Sequence, residues 1–177
     1  DLAAFGNAWL GRDPETGREM DRPAAIGLAD GEVAAITVSP SRYGFHGTLK
    51  PPFALKDGQT RVQLERAIAD YCATASSVTC GPLLLKSIGS FIALIPTAPT
   101  DPLGALASGL VQALDGFRQP EDKAAMNKRR ASGLSDRQEE YLLRWGYPYV
   151  MEEFRFHLTL TGKLDPDRLM RVRDALA

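Results

Sequence analysis

Residues 42–50 read RYGFHGTLK, and residues 153–161 read EFRFHLTLT. These stretches hold the only two histidines of the 177-residue chain, each followed by threonine and leucine at the same spacing: His46-Gly-Thr48-Leu49 and His157-Leu-Thr159-Leu160. With 10 Thr and 22 Leu in the chain, a given histidine meets that spacing by chance roughly once in 140 times, so its occurrence at both asks for a reason. Both stretches alternate apolar and polar residues, which predicts strands, the first ending at Pro51-Pro52. Side chains two apart share a strand face. One face of the first would carry Arg42, Gly44, His46, Thr48 and Lys50, and the same face of the second Glu153, Arg155, His157, Thr159 and Thr161. The opposite faces, with Phe45, Leu49, Phe154, Phe156, Leu158 and Leu160, are apolar. A solvated sheet face alternates in the same way, but it does not explain why both histidines fall at the same point of the pattern.

Working outward, residues 2–10 predict a short helix with Leu2, Phe5, Trp9 and Leu10 on one face, followed by a loop over 11–24. Thr60 and Gln63 form a capping box opening a helix to about residue 75. Two β-like runs, 82–88 and 91–96, form a hairpin around Gly89. Asp101-Pro102 reads as an N-cap followed by Pro at the first helical position, for a helix to about Gly116. Residues 118–133 are the most polar stretch and read as a surface excursion carrying Lys128, Arg129 and Arg130. Ser135 and Gln138 make a second capping box for a helix ending at Gly146, and Asp165-Pro166 caps a final amphipathic helix. Strands interleaved with helices, and a hairpin among them, indicate an α+β or mixed α/β fold.

The composition, 44% hydrophobic and 24% charged, is that of a soluble globular protein of one domain or one two-lobed unit. No apolar run reaches the length that crosses a bilayer. The charge balance, 21 − 22 = −1, disfavours long nucleic acid as a partner, so a phosphate would be held by a local site. Cys72 and Cys80 support neither a disulfide framework nor a four-thiolate zinc site; they read as small buried hydrophobes in a reduced, cytoplasmic protein. The opening residue is Asp1 rather than Met, which leaves room for a missing leader or first element.

An imidazole titrates near about pH 6.5, so of two at neutral pH one can act as base and the other as acid. Splitting a phosphodiester needs both at once: a proton taken from the attacking water and one given to the leaving oxygen. Threonine hydroxyls and nearby cations can hold the phosphoryl oxygens. Two histidines without a nearby acidic or thiol cluster fall short of a zinc site, and Gly-rich loops for a nucleotide cofactor are absent.

Two His-x-Thr-Leu strands about a hundred residues apart resemble the 2H phosphoesterase superfamily. RYGFHGTLKPPF at 42–53, WLGRD at 9–13, WGYPYV at 145–150 and FRFHLTLTG at 154–162 resemble the subgroup encoded with carbon–phosphorus lyase genes in phosphonate-using bacteria. The resemblance implies two pseudosymmetric lobes of antiparallel sheet with outer helices, the motif strands facing each other across a cleft, over residues 1–177 as one two-lobed domain. The N-terminal strand usual in that superfamily has no room here. The resemblance also implies a phosphodiesterase acting on a small cyclic phosphodiester without cofactor or metal. His46 and His157 would be the acid–base pair, and Thr48 and Thr159 the phosphate-holding hydroxyls. Strand parity adds Lys50 and Arg155 as phosphate-binding cations. Tyr43, Trp145 and Tyr147 are candidates for stacking on a base or sugar, with core or rim packing as the plainer alternative. The competing function is a non-catalytic nucleotide or RNA-end binder of the same fold, against which a pair of imidazoles argues, because binding alone favours permanent cations. Oligomeric state is not legible.

Overall fold

The computed structural model describes residues 1–23, 27–98 and 100–176. Local signals set most elements. The Thr60–Gln63 box opens a helix at Arg61–Thr74, and the Ser135–Gln138 box opens one at Asp136–Trp145, which closes on Gly146 in the left-handed region (φ 73°). The hairpin forms as expected, from Leu83–Ile88 (β1) and Phe91–Pro96 (β2), turning at Gly89 (φ 56°) and Ser90. A two-residue strand, Leu158–Thr159 (β3), pairs antiparallel on the far side of β2, giving the order β1-β2-β3. Along the chain the helices are α1 (Leu2–Leu10), α2 (Asp30–Thr37), α3 (Arg61–Thr74), α4 (Asp101–Ala113), α5 (Lys123–Arg130), α6 (Asp136–Trp145) and α7 (Pro166–Leu176). The fold is α+β.

The chain divides into two compact units. The first holds residues 1–48, 81–99 and 157–177, and with them the sheet. One sheet face, presenting Leu85, Ile92, Leu94 and Leu160, packs in a core with Trp9 and Leu10 of α1, Val33 and Ile36 of α2 and Val172 of α7. The Trp9 indole N–H donates to the Leu160 carbonyl at 2.8 Å, so a buried polar group is satisfied as it is covered. The second unit, residues 49–80 and 100–156, buries Leu103, Ala107 and Val111 of α4 together with Leu142 of α6 and Val150. Tyr71 of α3 donates to the Leu106 carbonyl of α4 at 2.9 Å, and its hydroxyl lies 2.3 Å from where a Cβ on Gly109 would stand.

Several expectations change. The expected strand over 42–50 contributes only an isolated antiparallel bridge at Gly47. A 3-10 turn over Pro40–Arg42, closed by Tyr43 N–H to the Pro40 carbonyl, and Gly44 at φ 78° bend the chain away from extended geometry. The expected strand over 153–161 shrinks to Leu158–Thr159, and Met151–Glu153, where it was to begin, is a 3-10 turn. The polar excursion contains α5, N-capped by Asp122. Thr100, not Asp101, is the N-cap of α4. In α1 the buried residues are Gly6, Trp9 and Leu10, while Leu2 and Phe5 are exposed. Cys72 is exposed, since α3 buries no residue fully, and Cys80 is half-buried. Helix α2 was not expected, and Pro23 ends the described part of the 11–24 loop, residue 24 lying outside the described residues.

Candidate functional site

The bridge between Gly47 and Leu158 joins the two histidine motifs directly. Antiparallel partners step in opposite directions, so His46 falls opposite Thr159 and Thr48 opposite His157. Leu158 is buried, and alternation turns the two histidines and two threonines to the other face of the sheet. The motifs are thus related by a local two-fold through the bridge, with the histidines on a diagonal of about 7–8 Å between Cα positions in ordinary antiparallel geometry. The resemblance implied motif strands facing across a cleft; here the two segments are neighbours within one unit. Regular pairing stops so early on both that a single bridge suffices to align them.

The turn before His46 fixes its ring. The imidazole Nδ1 lies 3.1 Å from the Gly44 carbonyl and Nε2 lies 2.8 Å from the Thr48 hydroxyl. A carbonyl only accepts, so in the neutral ring Nδ1 carries the proton and Nε2 presents its lone pair. Gly44 is required there: besides its positive φ, a Cβ would lie 2.5 Å from Pro14. Helix α1 holds the segment. The Phe45 N–H donates to the Asn7 side chain at 3.3 Å, and the Phe45 ring lies over Gly6. Arg12, just beyond α1, donates to the Arg42 carbonyl at 3.2 Å. Arg12 also lines a cavity of about 350 Å³ with Gly11, Glu19 and Arg22, which none of the motif residues enters.

Tyr43 sits edge-on to His46, with ring centroids 5.3 Å apart, and its phenol faces the Thr159 side chain. Burial raises the phenol's pKa, against the Thr159 side chain, which lowers it. Tyr43 therefore spans the two motifs. Sequence parity placed it on the opposite face from His46, and only the 3-10 turn brings it round. His157 is half-buried with its ring tilted against Phe91 at 5.7 Å.

Thr161 does not share this site. It is 1% exposed, and its hydroxyl accepts from the Ile92 N–H at 3.0 Å and donates to the Gly162 carbonyl at 2.9 Å. Lys50 belongs to the second unit, where its ammonium donates to the Val111 carbonyl at 3.2 Å and lies 5.0 Å from the Phe53 ring centroid. Burial pushes the Lys50 pKa down, partly opposed by Asp115. Arg155 is exposed in the same unit. Trp145 and Tyr147 also lie there, each with a guanidinium over its ring, Arg144 at 4.7 Å and Arg129 at 4.8 Å. The basic run is internally compensated, Arg130 pairing with Glu139 and Arg129 with Glu121. Among the described residues no three His, Cys, Asp or Glu form a metal-ligand set, and no helix is long and apolar enough to cross a membrane. Asn7 and Gly6 escaped the sequence reading, because a contact made across 38 residues leaves no local pattern.

No solved structure matches the chain. Two curated proteins are similar: one named ribose 1,5-bisphosphate phosphokinase PhnN from Janthinobacterium sp. (strain Marseille), 35% identical over 98% of this chain and 39% of that protein, and one of the same name from Laribacter hongkongensis (strain HLHK9), 37% identical over 91% and 37%. The chain spans about two fifths of the length of these relatives. A family model described as "Protein of unknown function (DUF1045)" matches residues 48–177, from the threonine of the first motif through the whole of the second, and the chain belongs to that family.

Proposed function

We propose that this chain hydrolyses a small cyclic phosphodiester, a ribose or nucleotide cyclic phosphate, by paired-histidine acid–base catalysis of the 2H phosphoesterase type, without a divalent metal. The observation that carries the reading is the Gly47–Leu158 bridge, which sets two imidazoles and two threonine hydroxyls on one face about a local two-fold. His46 is the base. With Nδ1–H held by the Gly44 carbonyl, Nε2 accepts a proton from water as the water oxygen bonds to phosphorus. His157, protonated, donates to the ester oxygen as the P–O bond breaks. The Thr48 hydroxyl, which points to the His46 Nε2 in the free protein, turns to a non-bridging oxygen when substrate binds and frees Nε2 for the water, and the Thr159 hydroxyl donates to the other, where charge is concentrated in the transition state. Water is consumed, a phosphomonoester is formed, and the two imidazoles exchange protons with solvent to reset.

The relatives' name refers to a phosphorylated ribose, which supports the ribose phosphate class, and the likeness to the carbon–phosphorus lyase subgroup supports a place in phosphonate breakdown. The kinase activity in that name belongs to proteins more than twice as long. This sequence contains no G-x-x-x-x-G-K-[ST] phosphate loop, so hydrolysis rather than phosphoryl transfer from a nucleotide is the activity assigned to it.

A panel of cyclic phosphodiesters, assayed with chelator present, tests the proposal. Turnover in chelator, with a bell-shaped pH profile from one neutral and one protonated imidazole, is expected. Loss of turnover in chelator with recovery on adding metal refutes the mechanism. Saturable binding of nucleotides with no turnover of any member would assign the fold to binding instead.

A further inference from the structure

We propose that Lys86 is the phosphate-binding cation of this site, a reading that rests on the hydrolase function proposed above. The sheet register places it. Lys86 is the partner of Ala93, and Ala93 is the partner of Thr159, so the three form one row across β1, β2 and β3. Directly paired residues in a sheet share a face, and this row continues through the bridge to His46, the residue opposite Thr159. The other face is the core face, carrying Leu85, Ile92, Leu94 and Leu160. Lys86 therefore stands on the face of the histidines and threonines, and every residue of the row belongs to the first unit.

Between Lys86 and Thr159 stands only the methyl of Ala93, which is 0% exposed. Strands lie about 4.8 Å apart, so Lys86 and Thr159 are roughly 10 Å apart at Cα. A four-carbon lysine stem is long enough to reach along that row toward Thr159. Phe91, two residues from Ala93 on the same face of β2, closes on His157 at 5.7 Å between ring centroids, so the groups around Ala93 converge above it. Lys86 is exposed, and among the described residues it forms no ion pair, so its charge is unspent. Lys50 and Arg155, which strand parity nominated for this role, lie in the other unit.

A lysine on an edge strand also blocks edge-to-edge pairing, and β1 is the edge of this sheet. Binding separates the two roles. Inorganic phosphate would be titrated into the wild type, Lys86→Met, Lys86→Arg and Lys163→Met, the last an exposed lysine beyond the sheet, and KM measured on a cleaved cyclic phosphodiester. Lys86→Met keeps the aliphatic stem and should weaken phosphate binding roughly 10- to 100-fold, raise KM and flatten the salt dependence. Lys86→Arg and Lys163→Met should bind like the wild type. Wild-type affinity and KM in a folded Lys86→Met protein would leave Lys86 as an edge guard and overturn the assignment, while the hydrolase reading stands. A wild type that neither binds phosphate nor cleaves any cyclic diester refutes both.

Discussion

Thr159 and Thr161 have the same sequence parity, yet their hydroxyls do different things, and Thr161→Val exposes the difference. Valine preserves the shape of threonine and deletes the hydroxyl. In the wild type that hydroxyl accepts the Ile92 N–H and donates to the Gly162 carbonyl, with Thr161 1% and Ile92 0% exposed. It replaces a ladder bond where β3 has already ended. Two neutral hydrogen bonds contribute about 0.5–1.5 kcal/mol each, and a buried N–H left without a partner costs about 1–3 kcal/mol. Because no water reaches Ile92 to compensate, the substitution should cost about 2–4 kcal/mol. For a chain of this size, each kcal/mol lowers the melting temperature by about 2–4 °C, so a drop of roughly 5–15 °C is expected by circular dichroism. Thr161→Ser should recover most of it. Thr159→Val, by contrast, should leave the melting temperature near that of the wild type and lower turnover. A Thr161→Val protein as stable as the wild type would refute the claim that the side chain completes the sheet here.

His46→Ala and His157→Ala should each fold normally and lose about 10²–10⁴-fold in turnover of a cyclic phosphodiester, or roughly 3–5 kcal/mol of barrier; a folded variant with full turnover would remove that histidine from the mechanism. Gly6→Ala places a Cβ 2.3 Å from the Phe45 ring, so it should cost about 1–3 kcal/mol by overpacking and also lower turnover, because Phe45 precedes His46. Urea denaturation and initial rates would check both. The Glu139 carboxyl is held below the usual glutamate range by its hydrogen bond from Arg130. The folded state therefore binds fewer protons than the unfolded one between the lowered and ordinary values, so this contribution is present above the ordinary range and lost as pH falls through the lowered one. Glu139→Gln should shrink the loss of urea midpoint between about pH 6 and pH 3; an unchanged difference would show that the ion pair contributes nothing to acid sensitivity.

What the sequence determined by itself is whatever a few neighbouring residues settle. The boxes Thr60–Gln63 and Ser135–Gln138 start helices where they stand because the cap satisfies orphan N–H groups within one turn. Gly89 turns the hairpin and Gly146 stops α6 because both backbones need positive φ. The repeated His-x-Thr was visible as a pattern because it needs only residue type and spacing. Helix α2 was missed because it is short, and its Val33 and Ile36 show their purpose only against Ile92 and Val172. Pairing between distant segments is a different problem. Alternation predicted two long strands, but a strand exists only where a partner accepts its hydrogen bonds, and the chain supplies one at Gly47 and over Leu158–Thr159. Beyond those points parity no longer governs. Thr161 turns inward to a backbone N–H, Tyr43 comes round on a 3-10 turn to Thr159, and Lys50 ends on the Val111 carbonyl. The tertiary structure alone aligns Lys86 with Thr159, through the register of two strand pairings that no local pattern encodes.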